Sequence, residues 1–267
     1  MTTATLRTGC GGWTFEPWRG VFYPDTLKQK DELASMSRQL RSIEINGTYY
    51  SSFKPDSWKK WRDETPDGFM FTVKGSRFTT NRKVLAEAGE SLEKFFAQGI
   101  SELGDKLGPI FWQFANTKKF DPDDFEGFLA LLPKTLDGRP LRHAVEVRHD
   151  SFRTPEFPAL LRRYGIACVY ADHATYPEIA DVTADFVYAR LQTGSDEVET
   201  AYDAATLATW AGRLKTWAAG GEPEDLPKVD PGHTAAKMPR DVFAFIIHEG
   251  KVRAPHGARA LQALVED

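Results

Sequence analysis

Eight short apolar runs, most of them followed by a stretch with helical spacing, recur along the chain and restrict it to very few folds. The runs are Leu6–Cys10, Ser42–Asn46, Phe69–Lys74, Pro109–Phe114, Leu141–Arg148, Ile166–Asp172, Phe186–Leu191 and Val242–Ile247. Between or after them, Gln29–Leu40, Ser91–Leu103, Pro155–Tyr164, Ala204–Ala219 and Pro255–Val265 read as helices. In the clearest of these, Leu92, Phe95, Phe96, Ile100 and Leu103 form one apolar stripe. Asp56, after Pro55, is expected to cap a helix carrying Trp58 and Trp61. Asp121, with Asp124 three positions on, should cap another. Tyr176–Val182 leaves room for a short helix. Strands spaced by helices pair in parallel through right-handed crossovers. Eight such units imply the α/β class and a closed TIM (β/α)8 barrel, one domain over residues 1–267. The alternative is an open doubly wound sheet. Polar residues end nearly every strand, and only a closed ring brings all those ends together. Gly220–Arg240 lacks periodicity and, as a helix-to-strand connection, should lie on the face opposite those ends.

Composition removes whole classes of partner. Lys and Arg total 34 against 38 Asp and Glu, a net charge of -4, which does not indicate a broad nucleic-acid surface. Two cysteines, Cys10 and Cys168, are too few for a disulfide scaffold and are expected as interior thiols. No run approaches the 18 apolar residues a membrane span needs. The start, Met1-Thr2-Thr3-Ala4-Thr5, has neither a basic nor an apolar leader region, which reads as cytoplasmic.

Alternate residues of a barrel strand point inward, and the last inward layer floors the site. Strand two offers Glu44 and Asn46, strand three Thr72 and Lys74, strand four Gln113, and strand five Glu146 and Arg148. Strand six offers Asp172, in register with Tyr170 and Cys168, and strand seven Arg190, in register with Tyr188. Strand eight runs into His248, Glu249, Gly250 and Lys251. Glu44, Glu146 and Asp172 balance Lys74, Arg148 and Arg190, so the cup can neutralise itself. Either an interlocked ion-pair network fills the mouth, or a small polar ligand carrying phosphate or carboxylate sits there.

In the second case Arg148 and Arg190 donate in bidentate fashion and Lys74 supplies a point charge or an imine-forming amine. Glu146 or Glu44 would be the acid or base, one pKa raised by burial beside another carboxylate. Asp172 completes the candidate catalytic set. Gly250 and Lys251 precede a helix whose free amides suit a phosphate. His149 and His173 should point away and hydrogen-bond at the strand ends. Three basic groups in the same cup disfavour a divalent metal, and no cofactor motif appears. The loop aromatics Trp13, Phe15, Trp18, Phe22, Tyr23, Tyr49, Tyr50 and Phe53 either stack on a ligand or pack the rim.

Several blocks resemble the YecE-like proteins of the domain-of-unknown-function 72 (DUF72) family. They are Thr8-Gly9-Cys10-Gly11-Gly12-Trp13, Phe22-Tyr23-Pro24, Glu44-Ile45-Asn46-Gly47-Thr48-Tyr49-Tyr50, Phe71-Thr72-Val73-Lys74, Gln113-Phe114, Val145-Glu146-Val147-Arg148-His149 and Tyr188-Ala189-Arg190-Leu191. The resemblance implies a TIM barrel and marks Glu44, Asn46, Tyr49, Lys74, Gln113, Glu146, Arg148, Asp172 and Arg190. It implies no particular reaction. The chain departs from it at Ile246-Ile247-His248, where relatives often carry two asparagines, and at Gln192-Thr193-Gly194. The expected function is a small anionic ligand bound at the strand ends, with metal-independent lyase, isomerase or hydrolase chemistry. The alternatives are a non-enzymatic module binding a ligand or a nucleic-acid end, and a metal-assisted phosphodiester hydrolase.

Overall fold

The computed structural model describes residues 4–267; Met1, Thr2 and Thr3, part of the start read as leaderless, lie outside the described residues. Eight parallel strands close into a ring. They are β1 (Leu6–Gly11), β2 (Ser42–Ile45), β3 (Met70–Lys74), β4 (Leu107–Gln113), β5 (His143–Glu146), β6 (Ala167–Asp172), β7 (Phe186–Thr193) and β8 (Asp241–Glu249). Each pairs with its successor in the chain, and β1 closes against β8 from Leu6↔Val242 to Cys10↔Ile246. This is the TIM barrel. Besides a single turn at Arg77–Thr80, seven helices among the described residues cover its outside: α1 (Glu32–Ser37), α2 (Pro55–Glu64), α3 (Gly89–Phe96), α4 (Pro122–Leu131), α5 (Glu156–Tyr164), α6 (Ala204–Ala218) and α7 (Ala254–Glu266). No helix among the described residues is long and apolar enough to cross a membrane.

Two apolar clusters fix which way each strand faces. Phe111, Val169, Tyr188, Phe243, Phe245 and Ile247 belong to the one inside the ring. Tyr188 stacks on Phe111 there, centroids 5.4 Å apart. Their chain neighbours Trp112, Tyr170, Ala189, Leu191 and Ile246 belong to the larger cluster between strands and helices. Tyr170 thus packs on Trp210 and Trp217 of α6, at 5.7 and 5.9 Å. Cys10 and Cys168 are buried free thiols. Burial and the neighbouring Glu44 push the Cys10 thiol up, so it stays protonated.

Four sequence readings need correcting. The Ser91–Leu103 helix breaks after Phe96, because Gly99 adopts φ +95° and the chain resumes as a tighter helix at Ile100–Lys106. Its stripe survives, with Leu92, Phe95, Ile100 and Leu103 all buried. Gln29–Leu40 is α-helical only over Glu32–Ser37. Asp56 does not cap α2: Lys54 holds that position, without a side-chain bond, and Pro55 begins the helix. Asp121 does cap α4, accepting from the Asp124 amide at 3.2 Å.

Tyr176–Val182 forms no helix. It packs instead against the Gly220–Arg240 loop, where Pro227 O accepts from the Ala180 amide at 2.8 Å. Buried Asp181 accepts from the amides of Val229 (2.8 Å) and Asp230 (3.1 Å). Together the two irregular segments cover the wall that a β6–β7 helix would occupy, which is why so long a loop persists.

The pairing of β1 with β2 leaves no space for a side chain at Gly9. A Cβ on Gly9 would stand 2.1 Å from the Ser42 carbonyl oxygen. Gly9→Ala is therefore expected to cost about 3 kcal/mol in urea denaturation. Gly89→Ala, where a Cβ would meet nothing within 4 Å, should stay within about 1 kcal/mol of wild type.

Candidate functional site

The last inward layer is a pair of carboxylates around one guanidinium. Glu44 and Glu146 are both fully buried, and Arg190 lies between them. Arg190 Nε donates to Glu44 Oε2 at 3.1 Å and its NH2 to Glu44 Oε1 at 3.0 Å. Its NH1 donates to Glu146 Oε2 in a short contact. Tyr188 Oη donates to Glu44 Oε2 at 2.7 Å, and Asn46 Nδ2 to Oε1 at 3.0 Å. Arg148 Nε donates to the other Glu146 oxygen at 2.6 Å. Isolated charges would be very costly at this depth, but here every carboxylate oxygen is bonded.

The pairing sets the protonation states. Burial works to raise the Glu146 pKa, yet Arg190 and Arg148 hold it down at about 2. Burial opposes charge on Arg190 as well, and Glu146 and Glu44 more than offset it. Glu146 is therefore a fixed anion at neutral pH. The expected raised pKa is corrected: the second carboxylate does not reach it without Arg190 in between.

Above this floor opens a cavity of about 580 Å³. Its charged walls are Lys74, Arg148, Arg190 and Lys251 against a single acid, Glu249. Lys74 is 8% exposed and makes no carboxylate ion pair. Its Nζ donates to Gln113 Oε1 at 2.9 Å and rests 4.4 Å from the centre of the Tyr49 ring. Burial and then the neighbouring Arg190 lower the Lys74 pKa to about 8. Gln113 Oε1 also accepts from Arg148 NH2 at 2.8 Å, so it orients two cations at once. Tyr176, beyond β6, stacks under Arg148 at 4.3 Å and accepts from its NH1 at 3.2 Å.

The comparisons with known proteins fit this fold. The profile of DUF72, described as a protein of unknown function, matches residues 7–267. The chain belongs to the DUF72 family. A curated relative, UPF0759 protein YecE of Escherichia coli K12, is 29% identical over 122 residues. That match covers 45% of this chain and only 42% of YecE. A DUF72 family protein from Thermotoga maritima superposes with a TM-score of 0.70 at 23% identity, covering 98% of this chain and 99% of that one. Another from Enterococcus faecalis gives 0.67 at 15%, covering 99% and 98%. At these identities the two structures speak for the fold alone.

Of the residues singled out in the sequence, Asn46, Tyr49, Lys74, Gln113, Arg148, Arg190, His248 and Lys251 line the cavity. Glu44 and Glu146, also in the DUF72 blocks, lie beneath it. Asp172 does not join them. Val169 faces inward, so Asp172 faces out of the ring, where Thr193 Oγ1 donates to it at 2.6 Å. Gly250 is a turn residue at φ +68°, packed against Ser195, rather than a wall of the cavity. His248 reaches the mouth because β8 bulges between Ile246 and Glu249, and His248 takes φ +69° there. His149 and His173 accept from the Ser151 and Thr175 amides, as strand-end hydrogen bonds.

Most loop aromatics pack: Trp18 and Tyr23 are buried, and Trp13 meets Trp61 edge-on at 5.0 Å. Tyr49 supports Lys74, and Tyr50 stays exposed on the rim. Trp18, one of those aromatics, also lines the cavity. Sequence reasoning missed Tyr176 and Gln192 as site residues; two-residue spacing from Arg190 was the signal for Gln192.

Removing Arg190 alone leaves two buried anions short of their main partner. Arg190→Met is expected to lose about 4 kcal/mol of stability. Because the folded pKa of Glu146 lies below the ordinary 4.5, its stabilisation is complete above about pH 4.5 and disappears as pH falls through about 2. Chemical denaturation across that window should give a shallower pH dependence for Glu146→Gln than for wild type.

Proposed function

We propose that the barrel mouth binds a small ligand bearing a phosphate or carboxylate group. The observation that carries this reading is vertical charge separation. The acids Glu44 and Glu146 are sunk below the floor and consumed by Arg190 and by the Nε of Arg148, whereas Lys74 and Lys251 face the cavity beside the rest of the Arg148 guanidinium. A chain of net charge -4 thus presents a locally positive cup. Lys74 supplies a point charge and Arg148 a fork already oriented by Glu146 and Gln113. Lys74, with its pKa near 8, is the cavity group suited to taking and returning a proton. Glu146, held ionised, positions Arg148 and is not the acid.

A second reading, the phosphorylated end of a nucleic-acid strand, draws support from the rim. Exposed Tyr50 and Phe78 flank Arg77, whose guanidinium lies 5.6 and 5.4 Å from their rings. Such a platform suits an unstacked base. The metal-assisted reading has less support, since Asp172 lies outside the cup and Arg190 occupies both buried carboxylates.

Calorimetric titration with inorganic phosphate tests the proposal. Binding is expected to weaken roughly tenfold in Lys74→Met and in Arg148→Met, about the worth of one charged hydrogen bond. In wild type it should also weaken as pH rises through about 8 and Lys74 loses its proton. Absence of binding in wild type, or wild-type affinity retained in both variants, would refute it. A nucleic-acid end adds a steep salt dependence that a lone phosphate lacks.

A further inference from the structure

We infer that the ligand of this cavity carries, beside its anion, a paired donor–acceptor edge of the amide kind, and that Gln192 of β7 reads it. The inference rests on the anion-binding reading above. Gln192 is 1% exposed and lines the cavity, yet neither its Oε1 nor its Nε2 has a hydrogen-bond partner. The other glutamines of comparable burial are engaged: Gln113 Oε1 accepts from Lys74, Arg148 and Arg190, and Gln98 bonds Phe53 and Phe95. Among the described residues the Gln192 amide has no partner; a buried amide left so is destabilising, and one kept at the wall of a cavity is a group waiting for a complement.

Its position fits a second contact point. Gln192 follows Arg190 by two residues on one strand, so it faces inward about 7 Å nearer the mouth. A ligand seated on Lys74 and Arg148 must extend by a few bonds to reach it. The intervening wall is apolar at Ile247 and bare at Gly11, where a Cβ would stand 2.9 Å from Asn46 Nδ2. That wall suits a short carbon or ring skeleton, and a bare phosphate leaves most of the 580 Å³ unfilled. Glutamine presents N–H and C=O side by side. Its complements are a carboxamide, a urea or the edge of a heteroaromatic base.

Matched probes distinguish these sources in calorimetry on the full chain. N-carbamoyl-β-alanine is compared with 5-methylhexanoate, its apolar isostere, and adenosine 5′-monophosphate with ribose 5-phosphate. Inorganic phosphate serves as the plain anion. The edge-bearing member should bind at least tenfold tighter in one pair, and that pair names the source. Gln192→Leu should collapse that ratio to near one and raise the Tm of the free protein by about 2–4 °C, because an orphan amide is gone. Equal affinities within both pairs, or a preference that survives Gln192→Leu, would overturn the inference. Phosphate binding without any edge preference rejects this inference alone. Loss of phosphate binding rejects the cavity reading and the inference with it. The wild-type ratios decide the matter even if the leucine variant does not fold.

Discussion

Arg190 is the cation on which the upper half of the barrel depends. Two carboxylates at zero exposure would each carry a heavy desolvation penalty, and one guanidinium contacts both. Its Nε and NH2 grip Glu44 as a fork, while NH1 turns to Glu146. Phe111 lies 4.5 Å below as a flat support. Lysine cannot replace this arrangement, because a single ammonium lacks the planar set of donors. With Glu44 held by Arg190 and Glu146 shared between Arg190 and Arg148, Lys74 is left to face the cavity on neutral partners. The mixed-charge count read from the sequence thus resolves into layers. The ion-pair network, first posed as an alternative to a ligand pocket, is the floor of an open cavity.

The catalytic expectations change accordingly. Glu146 appeared in the sequence as a carboxylate beside another carboxylate, which favours a raised pKa. In three dimensions its nearest charges are Arg190 and Arg148, and the shift reverses. Lys74 moves the other way. It is buried on neutral partners, Gln113 and Tyr49, and burial first and then Arg190 loosen its proton. The chemistry available in this mouth therefore turns on an amine rather than a carboxylic acid.

Much of this was legible in one dimension. All eight strands were visible as apolar runs, and the pairs Glu44/Asn46 and Glu146/Arg148 were flanked by Ile43, Ile45, Val145 and Val147, which fixed their facing. Ala167–Asp172 carried no such signal. A strand buried on both faces has no polar–apolar alternation, so counting back from its one carboxylate gave the wrong parity. Tyr170 against two tryptophans of α6 sets the true one. Gln192 was lost because the strand was ended at Leu191, whereas pairing continues to Thr193. His248 was found at the site for a reason the sequence does not display, a bulge that turns it inward. The missing β6–β7 helix is a tertiary substitution, since its cover comes from a loop nearly fifty residues away in sequence.

The layered charges carry the proposal that an anion belongs above the Arg190 floor. The most direct measurement is an anomalous difference map from crystals soaked in selenate. The account predicts a selenium peak inside the barrel mouth, within hydrogen-bonding distance of Lys74 Nζ and the Arg148 guanidinium. A cavity without a peak, in crystals that show selenate on exposed lysines elsewhere, would contradict it.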